Sequence, residues 1–402
     1  MAAKHTPRYA RKKPKKSKAP LVAGLIAIVA IVAILLVVFL PGDTAPESPD
    51  SANGLFTCGL VPVMENGLWG YADTTGNVVI PCIYQKAGAF SADGLAPVCR
   101  EDKWGYVNQT GQLVAECIYQ ETSGFSNGFA PVKSGGLWGF INTSGMNVIP
   151  ATYEYLGSFS ENGLAIVRQD GLFGYLNTKG ELAIVCQYSS ASAFGSEDIA
   201  LIRLQDQYGY IRADAMYAIE PQFQAMGSFN GTQLAPAKSQ GSWGYVDRSG
   251  NFVIAAQYEY AYDFSPEGVA RVYAGGRYGY IDTAGNWIVE PKFREAGDFQ
   301  NGYALVQENG QYGILKPDGT YGVAPSAQRI PYPAAQDRVV FTNAAGLYGY
   351  LDIQGNPVIA AQYEIAMPYR EDGFAAVQTN GLWGIIDRDG NFVIEPKFQA
   401  IG

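Results

Sequence analysis

Histidine is almost missing from this chain: the only one is His5, inside a basic stretch at the start. A nucleophile served by a histidine base is therefore excluded from everything downstream. Cysteine is scarce as well. Five are present, no two are spaced C-x-x-C, and no histidine lies near them, which excludes a structural zinc site. Acidic residues are absent from residues 1–40, so all 37 lie beyond that point. Patterning that would support long helices is missing from the rest of the chain. Its glycine pairs precede no helix, so they read as turns and not as phosphate-binding loops.

The first forty residues have a distinct character. Residues 1–20 hold eight cations, Lys4, Arg8, Arg11, Lys12, Lys13, Lys15, Lys16 and Lys18. Residues 21–40, "LVAGLIAIVAIVAILLVVFL", carry no charge and no polar side chain. Twenty apolar residues span ~30 Å as a helix, the hydrocarbon thickness of a bilayer. A cleaved signal peptide has a shorter apolar region of ~7–15 residues and a small-residue cleavage site. The expectation is an uncleaved transmembrane signal anchor, with the basic tail cytoplasmic and the remainder extracytoplasmic. The expected location is thus the plasma membrane, crossed once, with lipid as a partner through that one helix. Residues 41–54, "PGDTAPESPDSANG", form a Pro-rich acidic linker. Taking the eight cations of the tail from 28 Lys plus Arg leaves 20 against 37 acids, a net charge of −17 for the exterior part. Such a balance argues against nucleic acid as a partner.

Residues 55–402 repeat. An aromatic followed by glycine occurs at Trp69-Gly70, Trp104-Gly105, Trp138-Gly139, Phe173-Gly174, Tyr208-Gly209, Trp243-Gly244, Tyr278-Gly279, Tyr312-Gly313, Tyr348-Gly349 and Trp383-Gly384. The intervals are 34 to 36 residues, the signature of a tandem repeat. Within each unit a first strand such as "GLAPV" places Ala96 and Val98, and their counterparts Ala130, Ala165, Ala200, Ala235 and Ala270, on one face. The second strand carries the aromatic-glycine pair. A turn of the form Asp/Asn-x-x-Gly follows, and then a β-branched third strand such as "NVVIP". A loop with a lone aromatic (Phe90, Phe125, Phe159, Phe194, Phe229, Phe264 or Phe299) leads to the next unit. Glycine weakens a strand, so its place after every aromatic requires a reason. The expected reason is that the ring covers neighbouring backbone and glycine makes room. The unit after Tyr312 loses its "VI-x-P-x-Y" element, and residues 321–338 are expected to be irregular.

The phrases "LWGYADTTGNVVIP", "KWGYVNQTGQLV", "SWGYVDRSGNFVI" and "LWGIIDRDGNFVIEPKF" resemble the bacterial WG-containing repeat family and its KWG variants. The resemblance covers residues 56–402. It implies a repeat scaffold, often on cell envelopes, with no single activity and no catalytic residues to carry over.

The expected fold is all-β, ten three-stranded antiparallel meanders stacked in a propeller-like ring or a curved solenoid. The first fragment supplies the strand that the last unit lacks, which favours the ring. No cofactor, metal or catalytic residue is expected. Glu220, Glu290 and Glu395 recur at one repeat position, as structural residues do, and "DRDGN" at Asp387–Asn391 lacks the ligands of a calcium loop. Equivalent positions of consecutive units are neighbours, so Cys82 and Cys117 are the candidate disulfide, the alternative being burial as free thiols. The functional expectation is a non-enzymatic, membrane-anchored binding or scaffold protein for a protein or cell-envelope glycan ligand. A carbohydrate-active enzyme using Asp and Glu is the alternative.

Overall fold

Every aromatic-glycine pair lies on the middle of three long antiparallel strands. The computed structural model describes residues 54–230, 232–326 and 329–402. Among them every regular element is a β-strand, and these form ten sheets. The sheets are the blades of a ten-bladed β-propeller. In the second blade the long strands are Leu95–Arg100, Lys103–Asn108 and Leu113–Tyr119. The loop expected between units contributes a fourth strand, Lys86–Ala87, which pairs with Val98 and Cys99. Nine blades are therefore four-stranded rather than three-stranded.

The exception is the ninth blade, with three strands. There the short strand shrinks to a single bridge between Arg329 and Thr342. The irregularity expected over 321–338 is narrower than that. Tyr321–Ser326 is an ordinary third strand of the eighth blade, one residue shorter than its counterparts between the pairs Tyr312–Ser326 and Ile314–Val323. The transmembrane anchor, basic tail and linker expected over residues 1–53 lie outside the described residues. Among the described residues no helix is long and apolar enough to cross a membrane.

The turn between second and third strands follows from its sequence. In "DTTGN", Gly76 donates its N–H to the Asp73 carbonyl and takes a φ of +82°, which glycine tolerates. The Asp73 carboxylate accepts the N–H groups of Thr75 and Asn77, each at 2.9 Å. These hydrogen bonds, led by that from the Thr75 hydroxyl, hold its pKa below the ordinary value.

The third strand does not run straight. Trp69 faces Tyr84 and Tyr71 faces Ile80, so two residues on one strand oppose four on the other. The slack bulges onto Gly70. A Cβ there would lie 2.4 Å from the Ile80 carbonyl oxygen and 2.7 Å from the Cys82 nitrogen. The same contact recurs in all ten blades, at 2.4–2.8 Å from the carbonyl oxygen ten residues downstream. Glycine therefore makes room for the bulged third strand of its own blade, not for the aromatic ring before it.

Each blade has two apolar faces, and the bulge divides the third strand between them. In the first blade Ile80 and Tyr84 pack on Phe90, Ala96 and Val98 of the second. Cys82 packs the other way, with Ile385 and Phe398 of the tenth. Ten apolar clusters result, each shared by two consecutive blades. The tenth of these joins the last blade to the first. Ala400–Ile401 supplies the short strand of the first blade, pairing with Met64 and Val63. The ring is closed.

Replacing one of these glycines, Gly174→Ala, should destabilise the protein by about 1–3 kcal/mol, the range for overpacking. Thermal melting of the variant checks this, and an unchanged melting temperature would contradict the close approach.

Candidate functional site

The repeat-defining residues are taken up by the joints between blades. The residue after each glycine is Tyr in seven blades, and its hydroxyl donates to a carbonyl of the next blade. Tyr71 reaches Gly88 at 2.8 Å, Tyr175 reaches Ser192 at 2.7 Å and Tyr280 reaches Gly297 at 2.7 Å. Each ring also packs on the lone aromatic of the following unit, as Tyr71 on Phe90 (4.9 Å between centroids) and Tyr245 on Phe264 (4.7 Å). Burial pushes these hydroxyls well above the ordinary tyrosine pKa, so they remain donors. The ten aromatics before the glycines, Trp69 to Trp383, are half-buried, at the edges of the same joints.

The cysteines enter different joints. Cys82 and Cys117 are not bridged, and all five thiols are free. The reason is the two-faced blade. Cys82 faces the tenth blade and Cys117 faces the first, each directed toward the preceding neighbour. Their sulfurs approach carbonyls of their own blades, Val63 at 3.7 Å and Val98 at 3.9 Å. Burial pushes both thiols up, away from nucleophilic character.

Among the described residues no three His, Cys, Asp or Glu gather as a metal site would require. Glu220, Glu290 and Glu395 lie one each on the third strands of the fifth, seventh and tenth blades, all exposed. The joint between the ninth and tenth blades opens outward as a shallow groove of about 350 Å³. Gln362, Tyr363, Asn380, Phe392 and Glu395 line it. The Tyr363 and Phe392 rings meet edge to face, 6.4 Å apart.

One polar cluster breaks the repeat. Arg271 pairs with Tyr280 in the register where Pro62, Pro97, Pro131 and Pro236 pair with the corresponding rings. Its guanidinium lies 3.7 Å over the Tyr262 ring and donates twice to the Asp298 carboxylate of the eighth blade, at 3.0 and 3.3 Å. Asp263 accepts the N–H of Ser228, in the sixth blade, at 2.9 Å. Burial, with a smaller push from Asp298, raises the Asp263 pKa from 3.8 to about 6. Sequence reading missed this cluster. Its signal was a single charged residue, Arg271, at a position otherwise held by Pro, Ile, Leu, Val or Ala.

Comparison with known families now decides the ancestry. Eight stretches match the WG containing repeat: 69–104, 104–138, 138–173, 173–207, 243–278, 278–312, 348–383 and 383–402. The chain belongs to the WG containing repeat family. The two units between matched stretches, around Tyr208 and Tyr312, retain the WG-repeat blade despite their divergence. Comparison with curated proteins gives no match. Among solved structures, an eukaryotic initiation factor is similar in fold, with a TM-score of 0.52 and 12% identity over 85% of this chain and 96% of that one. Hsv2p of Kluyveromyces lactis is 9% identical over 57% of this chain and 92% of its own, at a TM-score of 0.34. PorZ of Porphyromonas gingivalis is 11% identical over 79% of this chain and 51% of its own, at 0.26. Of these, the likeness to the initiation factor bears on fold alone. A WG-repeat propeller is an architecture of binding and scaffold modules.

Asp263 generates a prediction. Its folded pKa lies above the unfolded value, so its ionisation costs stability. The cost is absent below about pH 4, grows between pH 4 and 6, and is constant above. Asp263→Asn keeps an acceptor for Ser228 and should stabilise the protein by roughly 2–3 kcal/mol at pH 7 and by almost nothing at pH 4. Melting curves at the two pH values check it. An equal effect at both would contradict the buried carboxylate.

Proposed function

We propose that this WG-repeat protein is a membrane-anchored, extracytoplasmic binding or scaffold module for a protein or a cell-envelope glycan. The observation that carries the reading is the division of labour within each blade. The positions that recur are buried in the joints, whereas the outward positions of the third strands change from blade to blade. They read Pro81 and Ile83 in the first blade and Glu290 and Lys292 in the seventh. Recurrent joints with varied exteriors are how a repeat scaffold presents a recognition surface.

Anchoring rests on the sequence: twenty uncharged apolar residues at 21–40 after eight cations, followed by the acidic linker. A net charge of −17 beyond the anchor suits an aqueous exterior and disfavours polyanionic partners. The alternative, hydrolysis of glycans, requires two carboxylates facing one bond. Glu220, Glu290 and Glu395 belong to three separate blades, which supports binding over catalysis.

Protease added to intact cells, or to protoplasts where a wall is present, should degrade the propeller and spare the basic tail. A propeller protected in intact cells and degraded only after lysis would end the extracytoplasmic reading.

A further inference from the structure

The first residue of each third strand sets two arcs of the ring apart. In the first four blades these residues are Val78, Leu113, Asn147 and Leu182. In the next four they are Tyr217, Phe252, Trp287 and Tyr321. The ninth and tenth blades have Pro357 and Phe392 there, so four consecutive blades carry an aromatic and the first four carry none, although the joint forms throughout.

These rings stand at the mouths of the inter-blade grooves. Phe252 meets Phe223 of the preceding blade edge to face at 5.8 Å, and Trp287 meets Tyr258 at 6.0 Å. Both remain more than a third exposed. The groove beside Phe392 shows what surrounds such a ring, since Gln362 and Glu395 share its walls. At Trp287 the same repeat positions are Gln257 and Glu290, both exposed. The Gln257 carboxamide lies 3.4 Å from the Tyr258 hydroxyl, which orients it. The grooves entering the fifth, sixth and seventh blades thus offer an aromatic face beside an exposed carboxamide, that of Gln187, Gln222 or Gln257, whereas at the eighth the Lys292 ammonium lies 5.3 Å over the Tyr321 ring.

Resting on the binding-module reading, we propose that the grooves entering the fifth, sixth and seventh blades form one site for an uncharged polysaccharide. Each ring takes the C–H face of a sugar residue, and the flanking amides and carboxylates bond its hydroxyls. Three observations choose this occupant. The aromatics repeat at blade intervals, which fits a polymer with a repeating face. The exterior charge of −17 repels polyanions. The third strands are sheet edges, but Pro221 and Pro291 interrupt two of these three, and the double bulge distorts them all. An extended peptide therefore cannot add to them as a further strand.

The test is calorimetric titration of the full chain in detergent micelles. The probes are three uncharged hexasaccharides (β-linked glucose, β-linked N-acetylglucosamine and α-linked mannose) and a proline-rich decapeptide. At least one hexasaccharide should bind, with an affinity unchanged by a tenfold rise in salt, because no charge is neutralised. The double variant Phe252→Ala with Trp287→Ala should weaken binding about tenfold or more while melting like the parent. Trp287→Phe, which keeps a ring, should retain binding, as should Leu113→Ala in the other arc. Failure of all three hexasaccharides, or binding indifferent to the double variant, would overturn the site. Binding of the decapeptide alone, abolished by the double variant, would overturn the glycan and leave the binding-module reading standing.

Discussion

The whole ring depends on one close approach, the bulged backbone of each third strand lying against the glycine after each aromatic. With a Cβ only 2.4–2.8 Å from a carbonyl oxygen, no other residue fits without moving the strand. The bulge has a second consequence. It turns successive residues of one strand toward opposite neighbours, as Ile80 to the second blade and Cys82 to the tenth. A strand without the bulge would present one face to each side in strict alternation. The glycine is thus the condition for this bulged third strand, which places Ile80 and Cys82 in the two different joints of one blade.

The joint built on that condition is stereotyped and tolerates only matched changes. A tyrosine hydroxyl caps a carbonyl of the next blade while its ring packs on an aromatic there; such ring pairs contribute about 0.5–1.5 kcal/mol beyond their burial. Where the hydroxyl is lost, the partner stays aromatic for Phe140 and becomes aliphatic for the two isoleucines. Phe140 stacks on Phe159 at 4.6 Å. Ile314 packs in one cluster with Ala334, and Ile385 in another with Leu55. Polar side chains reinforce the joints. Gln120 accepts the Gly136 N–H at 2.7 Å, Gln224 that of Gly241 at 2.8 Å, and Gln399 that of Gly67 at 2.7 Å. The last of these crosses the seam between the final blade and the first, so the seam has the same chemistry as an interior joint.

Much of this was legible in the residues because repetition averages out local ambiguity. The buried alanines, from Ala96 to Ala270, and the Asx-anchored turns stand where two-residue alternation and the Asp/Asn-x-x-Gly pattern place them. The fourth strand was not legible, since two residues such as Lys86 and Ala87 have no period to read. Neither was the identity of the glycine's neighbour, because a bulge shifts the register that spacing assumes. The same shift sends Cys82 and Cys117 into separate joints. Arg271 with Asp263 and Asp298 escaped notice because ordinary surface residue types, two from the seventh blade and one from the eighth, come together only in the fold. The run of Tyr217, Phe252, Trp287 and Tyr321 was hidden by abundance, among 27 Tyr and 19 Phe, until the strand register placed all four at the start of a third strand.

The central claim is that ten like joints close on themselves, and the seam amides test it most directly. The Gln399 N–H donates to the Met64 carbonyl at 2.9 Å, as the Gln120 N–H donates to Lys133 at 2.9 Å and the Gln224 N–H to Lys238 at 3.0 Å inside the ring. Hydrogen exchange of the native protein compares them, because exchange reports the free energy of opening at each amide. A closed ring predicts that the Gln399 amide exchanges as slowly as those of Gln120 and Gln224. Exchange of Gln399 at the rate of an unprotected amide, with the two interior amides still protected, would show an open array and contradict the ring.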